Sequence, residues 1–151
     1  KFVYIYTIGK ADALLSRHKK IFMKTEILKE KYIKYGLTKD DIFKHQHFLI
    51  ITRSGIDKIQ AIESILINYE VIKCETNFAV VKAKAYKETG EATIQTFGSA
   101  LKGETFKDGN TNSHYVMEMA EKRAMSRAVL KLTGFYELGV FGEDESESFK
   151  K

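Results

Sequence analysis

Hydrophobic residues recur at helical spacing in some segments of the chain and at strand spacing in others. Apolar positions three and four residues apart predict an amphipathic helix over residues 25–35, ended by Gly36. The same spacing predicts a second helix, capped by Ser54, and a long third helix over residues 113–133. From the second helix and the segment after it, four residues are expected to face the core: Ile56, Ile59, Ile62 and Leu66. Alternating or continuously apolar runs predict strands over residues 2–7, 47–52, 69–75, 78–87 and 92–100.

The central elements follow the order helix, three strands, helix. Residues 88–91, Glu-Thr-Gly-Glu, predict a tight turn, and residues 101–112 predict a polar loop before the last helix. This order is typical of an α+β fold in which an antiparallel three- to four-stranded sheet carries helices on one face. We expect this αβββα core to form a single domain over residues 25–142, between an N-terminal extension over residues 1–24 and a frayed acidic tail over residues 143–151.

Composition is that of an ordinary globular protein with a moderate basic excess. The 151 residues are 44% hydrophobic and 30% charged, which suits one domain with its own core. A net charge of +5 favours an anionic partner. Cys74 is the single cysteine, so no intramolecular disulfide can form, and we expect it to be a small buried apolar residue in a reducing compartment, the cytoplasm. No apolar run approaches the roughly 20 residues of a membrane span, so we expect no membrane partner.

The segment over residues 120–134 combines a small apolar face with a row of cations. Successive helical residues turn by about 100° around the axis, which places the alanines on one side. That side consists of Ala120, Ala124, Ala128 and Leu132. Arg123, Arg127 and Lys131 form a neighbouring row at positions i, i+4 and i+8. We expect the alanine face to pack closely and the row either to follow a phosphate backbone or to be an ordinary solvated flank.

The second central strand alternates between small apolar and cationic residues. Val81, Ala83 and Ala85 are expected to face the helix that carries the alanines. Lys82 and Lys84 then stand on the opposite face or at the hairpin tip. In the next strand Gly98 indicates either a bulge or a close approach of another backbone.

Sequence motifs of catalysis are missing from the chain. It contains no phosphate-binding loop, nucleophile elbow, paired Cys-x-x-Cys or His-Glu-x-x-His motif. His45 and His47 can share one strand face, but no carboxylate or cysteine cluster stands at ligand spacing beside them. We therefore expect no enzymatic activity, no catalytic residues, no metal and no cofactor.

Together these features resemble the single-strand annealing proteins, which include the Sak-type phage recombination proteins and the Rad-fifty-two superfamily. The resemblance covers residues 54–134 and is strongest in residues 120–134, Ala-Glu-Lys-Arg-Ala-x-Ser-Arg-Ala-x-x-Lys-x-x-Gly. It implies a homo-oligomeric ring or filament that binds and anneals single-stranded DNA in phage-like recombination and repair, with the DNA backbone held in a basic groove. By position it implies DNA contacts from six residues: Arg123, Arg127, Lys131, Lys122, Lys82 and Lys84.

Three other interpretations of the same residues stay open. Double-stranded-RNA-binding domains share the αβββα order and a basic last helix. A small metal-dependent nuclease would need convergent carboxylates, for which Glu121 is one candidate. A structural oligomer would use the arginines in salt bridges between subunits. For an annealing protein, exposed strand edges over residues 2–7 and 69–75 are expected to mediate self-association, with the acidic tail dispensable or inhibitory as a phosphate mimic.

Overall fold

The computed structural model describes three stretches of the chain: residues 2–90, 92–105 and 108–146. Several sequence predictions extend outside the described residues: the extension over 1–24 at residue 1, the turn over 88–91 at residue 91, the polar loop over 101–112 at residues 106 and 107, and the acidic tail at residues 147–151. The chain divides into two compact units, Lys1–Lys34 and Tyr35–Lys151. None of the helices in the described stretches is long and apolar enough to cross a membrane.

The first unit contains one helix of 33 residues, α1 (Phe2–Lys34). The strand predicted over residues 2–7 is therefore wrong, and the helix predicted over residues 25–35 is the C-terminal part of α1. Short apolar runs fit either a strand or a helix, and the lysine-, leucine- and glutamate-rich segment that follows favours a helix. The left-handed conformation of Gly36, with a φ of 56°, follows the helix end as predicted.

The second unit is an α+β fold that contains the predicted αβββα order. Its elements are β1 (Ile42–His45), β2 (Phe48–Ile51), α2 (Arg53–Ile62), β3 (Ile65–Cys74), β4 (Phe78–Lys87), β5 (Thr93–Leu101), α3 (Val116–Leu132), a 3-10 turn (Tyr136–Leu138), β6 (Val140–Gly142) and α4 (Glu143–Ser146). They form two three-stranded sheets, in the spatial orders β1-β2-β6 and β3-β4-β5.

The antiparallel β3-β4-β5 sheet packs one face against α3. Small residues dominate this contact, and the following are all fully buried: Ala79, Ala83, Ala85, Ala100, Ala120, Ala124 and Ala128. A Cβ atom at Gly98 would overlap the backbone of Ala120 and Ala124, so only glycine allows α3 to lie this close to β5. The hydroxyl of Thr96 donates to the Ala124 carbonyl at 2.7 Å. The predicted meeting of the two alanine faces is confirmed, and Gly98 marks a close backbone approach.

The second sheet, β1-β2-β6, was not predicted. β1 and β6 have four and three residues, too few for a period of two to stand out in the sequence. β6 joins β2 in parallel and brings the C-terminal segment back to the core, where Ile50, Ile51 and Val140 are fully buried. The acidic tail does not fray over its first four residues, because Glu143–Ser146 form α4 directly after β6.

Local details correct four further predictions. The N-cap of α2 is Thr52, whose hydroxyl accepts from the Gly55 amide, and not Ser54. Ile62 is 53% exposed at the last position of α2, whose inward stripe is Ile56 and Ile59. Leu66 is 47% exposed because it lies in β3 opposite Tyr86, on the sheet face turned away from α3. Cys74 is exposed, because it lies at the end of the edge strand β3.

Asp41 anchors α2 to the segment before it. Its buried carboxylate forms an ion pair with the Lys58 ammonium at 2.6 Å. It also accepts hydrogen bonds from the Ser54 hydroxyl at 2.8 Å and from the Thr38 amide at 2.9 Å. The contact with Lys58, followed by the Thr38 amide, holds the pKa of Asp41 well below its usual range. This carboxylate therefore stabilises the fold in its charged form.

We expect Asp41→Asn to lower the free energy of unfolding by roughly 1–3 kcal/mol at neutral pH, because Lys58 and the Thr38 amide lose a charged acceptor. The folded-state pKa of Asp41 lies below its unfolded value of about 3.9, so its contribution is complete above that value and is lost as the pH falls. Urea unfolding at several pH values should show the wild type and the variant converging below about pH 4. Asp40→Asn, at the exposed neighbouring position, is the control; a constant gap across this range would contradict the assignment.

We expect Ala128→Leu to destabilise the protein by roughly 1–3 kcal/mol, because the buried contact between α3 and the sheet has no room for three more carbon atoms. Ala61→Leu, at an exposed position of α2, adds the same atoms where nothing opposes them. Thermal unfolding of both variants measures the difference. Equal melting temperatures would show that α3 is not closely packed.

Candidate nucleic-acid interface

Arg123 is the most buried of the predicted DNA-contacting cations. Only 4% of the residue is exposed, and its guanidinium donates to three backbone carbonyls. The acceptors are Asp144 at 3.1 Å, Ser99 at 2.9 Å and Asn110 at 2.7 Å. A guanidinium that holds β5, the polar loop and the C-terminal segment together cannot also bind a phosphate without breaking these contacts. The structure therefore makes Arg123 a structural clamp.

Arg127 stands one helical turn further along α3 and is one-third exposed. Its Nη1 donates to the Phe97 carbonyl at 2.7 Å. Its Nε and Nη2 both contact the Glu145 Oε1 atom, at 2.7 and 2.6 Å. Glu145 also accepts from the Tyr136 hydroxyl at 3.4 Å, and burial, followed by the Glu145 charge, raises the pKa of that hydroxyl. Arg127 thus holds an anion already, supplied by the acidic segment.

The two arginines close the outer edge of β5. The Phe97 and Ser99 carbonyls point away from β4, and Arg127 and Arg123 bind them. The Asn110 side chain accepts from the next outward amide, that of Leu101, at 2.7 Å. Capping an edge in this way blocks its pairing with another strand. On the other side of the sheet, most residues of β3 are exposed, as the edge prediction for residues 69–75 requires.

The remaining predicted cations of α3 are exposed. Lys122 and Lys131 both point to solvent, and the Lys131 ammonium lies 5.1 Å from the centre of the Tyr136 ring. The i, i+4, i+8 row is therefore not one continuous surface, because its first member is buried and its second is paired. Periodicity alone did not reveal this, since the carbonyls that bind Arg123 lie in distant segments of the chain.

Lys82 and Lys84 lie together on the face of the sheet opposite α3. They alternate with the buried Val81, Ala83 and Ala85, so they stand in the middle of β4 rather than at the hairpin tip. The Lys82 ammonium contacts Glu70 of β3 at 2.7 Å, and Glu70 is 62% exposed. A surface pair of this kind contributes between about 0 and 1 kcal/mol, so it opens easily.

An exposed aromatic ring adjoins these lysines. Phe97 of β5 lies directly opposite Lys82 in the antiparallel register and is 50% exposed. On the other side a shallow pocket of about 120 Å³ is lined by Asn68, Tyr69, Glu70, Lys82 and Lys84. Burial, followed by the charge of Glu121, raises the pKa of the Tyr69 hydroxyl. We call the surface formed by Lys82, Lys84 and Phe97 the open sheet face.

The described residues hold no group of three or more His, Cys, Asp or Glu side chains that can bind a metal ion. Glu121 is exposed on α3, and its charge contributes to the raised pKa of the Tyr69 hydroxyl after burial. His45 and His47 lie in and just after β1.

We expect Arg123→Ala to lower the free energy of unfolding by more than about 2 kcal/mol, because three backbone carbonyls lose a buried charged donor together. Lys122→Ala, at the exposed neighbouring position of α3, should stay within about 0.5 kcal/mol of the wild type. Chemical denaturation measures both. A stable Arg123→Ala protein would show that Arg123 is not a clamp.

Comparison with known proteins adds no relative to this picture. No family model, no curated protein and no solved structure matches the chain.

Proposed function

We propose that this protein binds single-stranded DNA on its open sheet face and anneals complementary strands, in recombination or repair. One observation supports the proposal: Lys82 of β4 lies directly opposite Phe97 of β5 in the strand register, and the Phe97 ring is exposed. One residue supplies a cation for a phosphate and the other a ring for a base. These are the two contacts that proteins use to bind single strands without reading their sequence.

The geometry suits a flexible strand better than a duplex. Lys82 and Lys84 are alternate residues of β4, roughly 7 Å apart along the strand. Directly opposed residues such as Lys82 and Phe97 have Cβ atoms about 5 Å apart. A base can stack on Phe97 only where it is not enclosed in a duplex, whereas phosphates of either form can reach the lysines.

Annealing requires no bond chemistry, which agrees with the lack of a catalytic motif in the sequence. It requires that the repulsion between phosphates be reduced and that bases stay accessible. A short cationic face reaches only a few nucleotides, so a longer track requires several protomers side by side. The exposed edge of β3 is the place where protomers associate in this proposal, because Arg123 and Arg127 close the edge of β5.

We expect Phe97→Ala to weaken binding of labelled oligo-dT by roughly 5- to 100-fold, because base stacking on a ring contributes about 1–3 kcal/mol per base. Phe97→Tyr keeps the ring and should restore the affinity. Fluorescence anisotropy with oligo-dT and with a matched duplex measures both. Duplex binding equal to or tighter than oligo-dT binding would contradict the proposal and favour a module for double-stranded nucleic acid.

We expect Lys84→Ala to weaken oligo-dT binding and to make the slope of log affinity against log salt shallower by about 0.7, because one phosphate contact is lost. Lys39→Ala removes the same charge from an exposed position before β1 and serves as the control. Equal effects of the two variants would show that binding depends on net charge and not on the open sheet face.

A further inference from the structure

We propose that the acidic segment Glu143–Ser146 competes with single-stranded DNA, with the Glu145 carboxylate occupying on Arg127 the place that a phosphate takes when DNA binds. This inference rests on the proposed function and adds a regulatory contact to it. The segment carries three carboxylates, Glu143, Asp144 and Glu145, and the last of these contacts Arg127.

Arg127 lies at the edge of β5, on the path of a DNA strand that leaves the open sheet face. Its Nη1 contacts the Phe97 carbonyl, and the Phe97 ring stands on that face beside Lys82. A DNA strand that stacks a base on Phe97 and continues over the edge of β5 therefore passes the Arg127 guanidinium. The Nε and Nη2 atoms that now share Glu145 Oε1 form the fork that also binds phosphate oxygens.

The Glu145 carboxylate is only partly hydrogen-bonded by the described residues, which favours its replacement on Arg127 by a phosphate. The residue is 5% exposed, and its Oε2 atom is buried without a hydrogen-bond partner among the described residues. A buried carboxylate oxygen that lacks a partner costs free energy that water would recover. When a phosphate replaces Glu145 on Arg127, the carboxylate returns to water and this cost disappears.

The segment is also short enough to leave as a unit. It is a single four-residue turn after β6 that packs against α3, β2 and β6. Asp144 accepts from the Ser126 hydroxyl at 2.7 Å, and Glu143 accepts from the Arg53 amide at 3.2 Å. Arg123 would lose its contact with the Asp144 carbonyl but keep those with Ser99 and Asn110. The clamp on β5 therefore persists when the segment moves.

This arrangement makes the competition depend on DNA length. A free nucleotide competes with Glu145 for Arg127 only at its concentration in solution. A strand already held on Phe97 and Lys82 presents its next phosphate to Arg127 at a high effective concentration. Short oligonucleotides should therefore leave the segment in place, and longer ones should displace it.

The decisive variant is Glu145→Gln, which keeps the shape of the side chain and removes its charge. We expect it to bind oligo-dT several-fold more tightly than the wild type and to steepen the salt dependence by about 0.7 in slope, because Arg127 gains a phosphate. Glu137→Gln changes the net charge equally at an exposed position of the 3-10 turn and is the matched control. The gain should vanish in the double variant Glu145→Gln/Arg127→Ala.

A second measurement uses the wild type alone, so it does not depend on the stability of a variant. Amide hydrogen exchange at residues 143–146 should become faster when long oligo-dT saturates the protein and stay unchanged with a dinucleotide. If the wild type binds oligo-dT while exchange at this segment is unchanged or slower, the segment is a structural part of the fold and the inference is wrong. If neither the wild type nor Glu145→Gln binds oligo-dT at low salt, the proposed function itself is wrong.

Discussion

The close contact between α3 and the β3-β4-β5 sheet determines the rest of this structure. Alanines on both sides and a glycine at position 98 bring the helix backbone against β5, where any larger residue would push it away. At this distance the two arginines of α3 reach the outward carbonyls of β5. The same packing that buries the apolar face thus decides which cations are available to a partner.

The distribution of charge follows from that contact. The Arg123 guanidinium donates to backbone carbonyls, and the Arg127 guanidinium donates to a carbonyl and to Glu145. Among the six predicted contact residues, the cations left accessible are Lys122 and Lys131 on α3 and Lys82 and Lys84 on β4. Lys82 and Lys84 lie beside the exposed ring of Phe97, and the proposed DNA site is therefore the open sheet face and not α3.

The sequence predicted the central fold well because its signals there are local. Alternation defined β4 over the observed residues, and the alanine spacing identified the face of α3 that is buried. Signals that depend on distant segments were missed. β1 and β6 are too short to show a period, and the four-residue α4 exists where Arg127 and Ser126 of α3 bind its carboxylates.

The candidate site was predicted only in part for the same reason. Lys82 and Lys84 are placed by the period of their own strand, so sequence analysis included the observed face as one of two alternatives. The fate of Arg123 depends on Ser99, Asn110 and Asp144, which only the tertiary fold brings together. The helical spacing of the cations was real, but their exposure was set by what packs beside them.

The proposed position of single-stranded DNA on the open sheet face can be tested directly. Photo-crosslinking with an oligonucleotide that carries 5-iodouracil, followed by mass spectrometry of the linked peptides, locates the bound bases. We expect the crosslinks to map to β5 at Phe97. Crosslinks confined to α3, with none in β4 or β5, would contradict it.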